Sequence, residues 1–263
     1  MSFIRLSNVS LSFPVYDSSS RSLKRHAISA MTRGRVTKDL TNRISTDASN
    51  RVSIRALRRV NLAIEHGTRL GLVGLNGAGK STLLHVMAGI YVPDRGAVTV
   101  EGKISCMLGG NLGVDPELTG RENIELRGLY LGLSGVDIRE RLNDVIEFTQ
   151  LGPFIDMPLR TYSAGMRARL EFAISTSIHA DIVLIDEGIG TGDASFIAQA
   201  NQRLENLATG AGIVVLASHS EMLLRKTCTH GVLLEAGSIK ATGNIETVLE
   251  RYTASLTPER HQH

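Results

Sequence analysis

Apolar and polar positions alternate irregularly over residues 3–13, where Ile4, Leu6, Val9, Leu11 and Phe13 predict one or two antiparallel strands. Strand patterns return at Val60–Ile64, Arg69–Val73, 97–100 and Ile104–Leu108. Short, wholly apolar runs at 182–185, 213–217 and 231–235 predict buried strands. Helical spacing runs through Val136–Gln150 and Ser163–Ser177, and further helices are predicted from Lys80 to about Ala88 and over 195–208, 220–227 and 244–254. Strands that alternate with helices need crossover connections, so the core sheet is expected to be mostly parallel. The purely helical block 119–178 reads as an insertion into that core.

Composition narrows the class without naming a function. At 263 residues the chain is sized for one α/β domain, and 42% apolar residues suffice for a packed core. Wholesale disorder, collagen, a coiled coil and a disulfide scaffold are excluded. Cys106 and Cys228 stand far apart with no metal or redox spacing, and are expected as two buried reduced thiols. The amino terminus lacks the apolar run of a signal peptide, and no stretch approaches the roughly 20 apolar residues that cross a bilayer. A cytoplasmic chain is therefore expected, with any membrane association made through a partner or a surface.

The 29 basic and 26 acidic side chains nearly cancel, but their placement is uneven. Residues 17–55 hold nine Arg/Lys (Arg21, Lys24 and Arg25 among them) against three Asp. This basic insertion has two readings: a solvated loop rich in serine, or an element lying against an anionic membrane face or a permease.

The candidate chemistry begins at Gly74-Leu75-Asn76-Gly77-Ala78-Gly79-Lys80-Ser81, which matches G-x-x-x-x-G-K-[ST] at every fixed position. A predicted strand precedes it and a predicted helix follows. Glycines let backbone N–H groups converge on phosphate oxygens, and the helix amino terminus adds partial positive charge. In this pattern Gly74, Asn76, Gly77, Ala78, Gly79, Ser81 and Thr82 bind nucleotide, Lys80 reaches the β- and γ-phosphates, and Ser81 coordinates Mg²⁺. The strand 182–185 ends in Asp186-Glu187. Asp186 is placed to hold Mg²⁺ through water, and Glu187 to polarise the attacking water. His219 follows the strand 213–217 and is expected at the γ-phosphate end of the crevice, orienting that water. The other histidines, His85 included, read as structural or solvated. A nucleotide with β- and γ-phosphates, together with Mg²⁺, is thus the expected ligand.

Tyr162-Ser163-Ala164-Gly165-Met166 opens a predicted helix between these two groups of residues. It resembles the signature motif of ATP-binding cassette (ABC) proteins, and Gly192-Asp193 resembles the D-loop of that superfamily. The resemblance implies that the nucleotide is ATP, and that Ser163 and Gly165 bind the γ-phosphate held by a second copy, in a homodimer closed around nucleotide. It also implies the fold: a P-loop NTPase core with a mostly parallel sheet, an antiparallel β edge subdomain and an inserted helical subdomain, all in one cassette spanning 1–263. A terminal helix and tail occupy 244–263.

The finer resemblance is to the ATPase subunits of ABC exporters for O-antigen, capsule and teichoic acid. It is carried by Tyr162–Leu170, by Pro116-Glu117-Leu118-Thr119-Gly120-Arg121-Glu122-Asn123-Ile124, and by Asp186–Asp193. It implies an integral-membrane permease that handles a polysaccharide, a peripheral location on the cytoplasmic face of the inner membrane, and no nucleic-acid partner. With the chain running to His263, no carboxyl-terminal carbohydrate-binding domain is expected. The usual Q-loop glutamine is missing, since no glutamine lies between Lys80 and Gln150, and its place falls to Gly109-Gly110-Asn111. The adenine platform implied near the first strand falls to Phe13, with Tyr16 second. Competing readings are another ABC transporter class, a soluble ABC ATPase acting on ribosomes or DNA, and a different P-loop enzyme such as a kinase.

Overall fold

The computed structural model describes residues 1–14, 44–46, 52–108, 113–130, 132–177, 180–186 and 194–256. In chain order the strands are β1 (Phe3–Pro14), β2 (Ile44–Thr46), β3 (Val52–Glu65), β4 (Arg69–Val73), β5 (Arg95–Glu101), β6 (Ile104–Met107), β7 (Ile182–Ile185), β8 (Ile213–Ala217), β9 (His230–Glu235) and β10 (Ser238–Asn244). The helices are α1 (Lys80–Met87), α2 (Gly120–Tyr130), α3 (Gly135–Thr149), α4 (Ala164–Thr176), α5 (Ala194–Gly210), α6 (Glu221–Thr227) and α7 (Ile245–Leu256). They fall into two compact units, residues 1–101 with 215–263, and residues 102–214.

In the first unit an antiparallel sheet runs in the order β2-β3-β1-β5. The irregular alternation of residues 3–13 belongs to one bent strand. Ile4 and Leu6 point into the core, and then Val9 and Leu11 do, because the pairing of β1 with β3 shifts register between them. Asn8 takes the left-handed conformation at that bulge (φ 54°), and its N–H donates to Oδ1 of Asn61 at 2.8 Å. Asparagine tolerates this backbone better than other side-chain-bearing residues, so the bulge sits where the sequence permits it. Beside it the order β10-β9-β4-β8 mixes an antiparallel β10–β9 pair with a parallel β4–β9 pair. Leu72, Leu83, Leu84, Met87, Val232, Leu234 and Leu249 are almost completely buried in this unit.

In the second unit β6 and β7 pair in parallel from Ile104↔Ile182 to Met107↔Ile185. Helices α2, α3 and α4 close over a core of Ile124, Val145, Leu151, Ile155, Leu159, Tyr162, Leu170 and Ile174. A second cluster stacks Phe148 on Phe172 and sets both against Phe196. Ser134 and Asp137 form a reciprocal capping box at the start of α3.

Three expectations change. Strand β3 begins at Val52 rather than Val60, so residues 52–55 of the basic segment are strand, with 52–54 paired to β2 and Arg55 to Ser12 of β1. Strand β10 was not anticipated: Ala236 and Gly237, both at positive φ, turn β9 back on itself, and alanine at the first position gives no turn signal. Cys228 is buried and unbridged as expected, but Cys106 is only partly buried. Tyr16, Arg21, Lys24, Arg25, Gly109-Gly110-Asn111, Glu187, Asp193 and the tail from 257 lie outside the described residues.

Candidate nucleotide site and signature turn

The glycine-rich loop between β4 and α1 is shaped by its own neighbours. Gly74 has φ 150°, and a Cβ there would stand 2.4 Å from the carbonyl oxygen of Leu234 on β9. Gly79 caps α1 at φ 109°, and a Cβ there would stand 2.9 Å from the carbonyl oxygen of Ala56 on β3. Neither position accepts any other residue without moving backbone. The loop is also pinned by hydrogen bonds. Ala78 N–H donates to Leu75 O at 3.0 Å, and Gly237 N–H donates to Ala78 O at 2.9 Å. Asn76, Gly77 and Ser81 stay exposed, whereas Ala78, Gly79 and Lys80 are buried; Thr82 is intermediate.

Lys80 is 7% exposed, and its Nζ donates to Gly74 O at 2.6 Å and Leu75 O at 3.2 Å. It also lies 3.5 Å from Nε2 of His219. Ammonium is a pure donor, so in a hydrogen bond between them this nitrogen of His219 is the acceptor. The structure thus brings together the P-loop lysine and the histidine expected at the γ-phosphate end. Ser218, before it, is buried and accepts from Ser220 N–H at 3.0 Å, while Ser220 caps α6 through Leu223 N–H. These bonds fix the chain on either side of His219.

Phe13, at the end of β1, packs edge-on against Tyr91 with ring centroids 5.2 Å apart. Tyr91 stacks on His85 at 5.0 Å, and His85 Nδ1–H donates to Ser81 O at 2.6 Å. Tyr91 and His85 were not read as site residues, since neither spacing nor pattern joins them to Phe13. The aromatic series instead ties the candidate adenine platform to the first turn of α1.

In the second unit Asp186 ends the buried strand β7, its N–H donating to Met107 O at 2.8 Å. Ser163 is exposed and caps α4, its hydroxyl accepting from Met166 N–H at 3.2 Å. Its side chain is therefore committed to its own helix. Gly165 has no positive φ, and a Cβ there would meet nothing closer than Ser163 Oγ at 3.9 Å. Like α5, neither α1 nor α4 has an acidic residue in its first turn, whereas α2, α3, α6 and α7 carry Glu122, Asp137, Glu221 and Glu246. Helix amino termini without carboxylates keep their partial positive charge for an external anion.

The residue before the signature, Tyr162, is 4% exposed and donates its hydroxyl to Phe154 O at 2.7 Å. Burial pushes the phenol's pKa above its ordinary value, partly offset by the Gly120 backbone N–H. A Cβ at Gly120 would meet the Tyr162 hydroxyl at 2.3 Å, which explains the glycine in the 116–124 run. Within α4, burial raises the Glu171 carboxyl above the usual range, opposed by Arg127 and Arg167. Among the described residues no group of three or more His, Cys, Asp or Glu forms a metal cluster. None of the described helices is long and apolar enough to cross a membrane.

Residues 57–190 match the family model described as ABC transporter. The chain is 39% identical over 239 residues to the O-antigen export system ATP-binding protein of Yersinia enterocolitica, spanning 91% of this chain and 97% of that one. It is 38% identical over 189 residues to the teichoic acids export ATP-binding protein of Lactococcus lactis, spanning 72% of this chain and 40% of that one. Among solved structures, a dimeric ATP-binding cassette in a post-hydrolysis state, bound to ADP and Pi, matches with a TM-score of 0.66 at 20% identity, over 92% of this chain and 98% of that chain. The last likeness is one of fold, and it agrees with the mostly parallel core, antiparallel sheet and helical block described above. With this family match and a near-full-length relative at 39% identity, the chain belongs to the ABC transporter family as one of its ATP-hydrolysing cassettes.

Proposed function

We propose that this chain is the ATP-hydrolysing subunit of a bacterial exporter that moves a cell-surface polysaccharide, lipid-linked O-antigen or capsule, across the cytoplasmic membrane. One observation carries the reading: the similarity to an O-antigen export ATP-binding protein extends over nearly the whole of both chains. The partner is an integral-membrane permease, and the cassette sits on the cytoplasmic face against it. The permease handles the polysaccharide.

The site residues divide the work. Backbone N–H groups of Gly74–Ser81 wrap the phosphates, with no Cβ at Gly74 or Gly79 to hinder them. Lys80 supplies charge to the β- and γ-phosphates, and His219, hydrogen-bonded to Lys80, orients the phosphate and the attacking water. Glu187 polarises that water, and Asp193 completes the nucleotide contacts. The hydroxyl of exposed Ser81 is a hard oxygen donor of the kind that suits Mg²⁺, and the carboxylate of Asp186 is another; Mg²⁺ would supply charge neutralisation to the phosphates when bound. Phe13 stacks on adenine.

The signature works in trans. Gly165 is not required by its own chain, which supports a role for Ser163 and Gly165 amides on the γ-phosphate held by a second copy. Binding of ATP then closes a homodimer, and hydrolysis reopens it.

Two measurements test this. Substituting Glu187→Gln removes the general base, so ATP is expected to convert the variant into a stable dimer on size-exclusion chromatography with light scattering. A variant that binds ATP and stays monomeric overturns the dimer mechanism. A deletion strain is expected to accumulate lipid-linked polysaccharide on the cytoplasmic side, and the chain to co-purify with a permease. Unchanged surface polysaccharide in that strain overturns the export reading.

A further inference from the structure

The signature turn is reached through Met157–Tyr162, a stretch whose only regular structure is a short 3-10 turn at Leu159–Thr161. Beside the buried side chains of Leu159 and Tyr162, its backbone is held by the loop Asp115–Thr119. Leu159 N–H donates to Leu118 O at 2.8 Å, and Arg160 N–H donates to Pro116 O at 2.9 Å. Thr119 and Pro158 form an isolated antiparallel bridge, and the Arg160 guanidinium pairs with the Glu117 carboxylate. The position of Ser163 therefore follows the position of this loop.

The loop is in turn organised by one side chain. Asn123, in the first turn of α2, is fully buried. Its Nδ2 donates to the carbonyls of Asp115 (2.9 Å), Leu118 (3.2 Å) and Thr119 (2.9 Å). Its Oδ1 accepts from Asp115 N–H at 2.7 Å. Two amide hydrogens shared among three carbonyls, with the oxygen also engaged, use both functions of a carboxamide. Aspartate has no donor, glutamine is a methylene longer, and leucine offers neither. These bonds are not needed to start the helix. The Thr119 N–H and hydroxyl both donate to Glu122 Oε2 at 2.8 Å, and Glu122 N–H returns to Thr119 Oγ1 at 3.2 Å. That capping box engages the Thr119 and Glu122 amides at the amino terminus of α2 without the Asn123 side chain. The four bonds of Asn123 serve the loop.

We infer that Asn123 is a positioning residue for the signature turn. It holds the Leu118 carbonyl directly and, by gripping both backbone groups of Asp115, the adjoining Pro116 whose carbonyl Arg160 N–H meets, and so sets where the Ser163 and Gly165 amides meet a nucleotide held by a second copy. This rests on the trans role proposed above for those two residues. A half-satisfied buried network loses more than the single bonds suggest, so the loss of the carboxamide releases the whole loop.

The test uses the full chain carrying Glu187→Gln, with and without Asn123→Ala. Two quantities are read: binding of a fluorescent ATP analogue to the monomer, and the ATP concentration giving half-maximal dimer. Asn123→Ala is expected to raise the second by about tenfold or more, because misplacing the signature weakens a contact made only in the dimer. Monomer affinity is expected to stay within about twofold, since the P-loop shares no partner with Asn123. Arg160→Ala, at the exposed end of the same loop contact, is expected to give a smaller shift of about two- to fivefold in the same direction. It decides the matter if Asn123→Ala fails to fold by circular dichroism. Unchanged dimerisation in the folded variant, or equal loss of monomer binding and dimerisation, overturns the inference alone. A Glu187→Gln parent that never dimerises with ATP overturns the trans reading and the inference with it.

Discussion

The P-loop and the signature turn are both glycine-bearing helix starts, and their glycines answer to different neighbours. At Gly74 and Gly79 a Cβ collides with backbone of the same chain, and both residues sit at positive φ. At Gly165 a Cβ meets only an ordinary contact with Ser163 Oγ at 3.9 Å, on ordinary helical backbone. The first loop would need its glycines for folding even without a ligand. The second has a glycine that its own fold does not use, which directs attention to something arriving from outside. A glycine motif is thus evidence of ligand contact only after the internal packing demand has been subtracted.

The sharpest way to break this comparison is at Gly74. Gly74→Ala forces a Cβ toward Leu234 O at a φ that alanine resists, so unfolding free energy is expected to fall by about 3 kcal/mol, read by urea denaturation. A loss below about 0.5 kcal/mol would mean that the loop adapts, and the P-loop glycines would then be ligand-driven too.

Gly165→Ala should behave in the opposite way. Stability is expected to hold or rise by up to about 1 kcal/mol, as alanine is the better helix former. ATP hydrolysis should drop by about tenfold or more as the methyl group intrudes on the dimer contact. Parallel melting curves and phosphate-release rates check both halves, and a fully active variant removes the outside ligand.

Ser163→Ala lies between these two. It removes the acceptor for Met166 N–H, so a cost of about 1 kcal/mol is expected from the lost cap, visible by denaturation. The smallest effect concerns the thiols, one in each unit. Burial pushes the Cys228 thiol up to about 12, with Arg69 opposing, and also raises the Cys106 thiol, with Arg127 opposing. Partly buried Cys106 is expected to label with a maleimide before Cys228 in the native protein, as read by mass spectrometry. Because the folded state keeps both protons longer than the unfolded chain, this contribution to stability is complete below the ordinary thiol pKa. It is lost as pH rises from there toward 12.

Much of the architecture was legible because it rests on local patterns. The apolar runs at 182–185 and 213–217 became β7 and β8 with the predicted bounds, since four or five consecutive apolar residues have no other soluble outcome than burial. The P-loop was legible for the same local reason: its residues are consecutive, and their spacing is their geometry. Strand β10 was not, because a two-residue turn at Ala236-Gly237 depends on pairing with β9. Nor was the role of Asn123 readable, although the sequence singled out the run that contains it.

By itself, then, the sequence determined the class of fold, the phosphate loop, the order of the motifs and the glycine at 165. Tertiary structure alone decided which glycines are forced by packing, that Lys80 and His219 meet at 3.5 Å, and that Phe13 leans on Tyr91. It also decided that a buried carboxamide holds the approach to Ser163. The division is physical. Helices, strands and P-loops are encoded by neighbours in the chain, whereas burial, hydrogen-bond satisfaction and close backbone approach depend on residues far apart in sequence that only folding brings together.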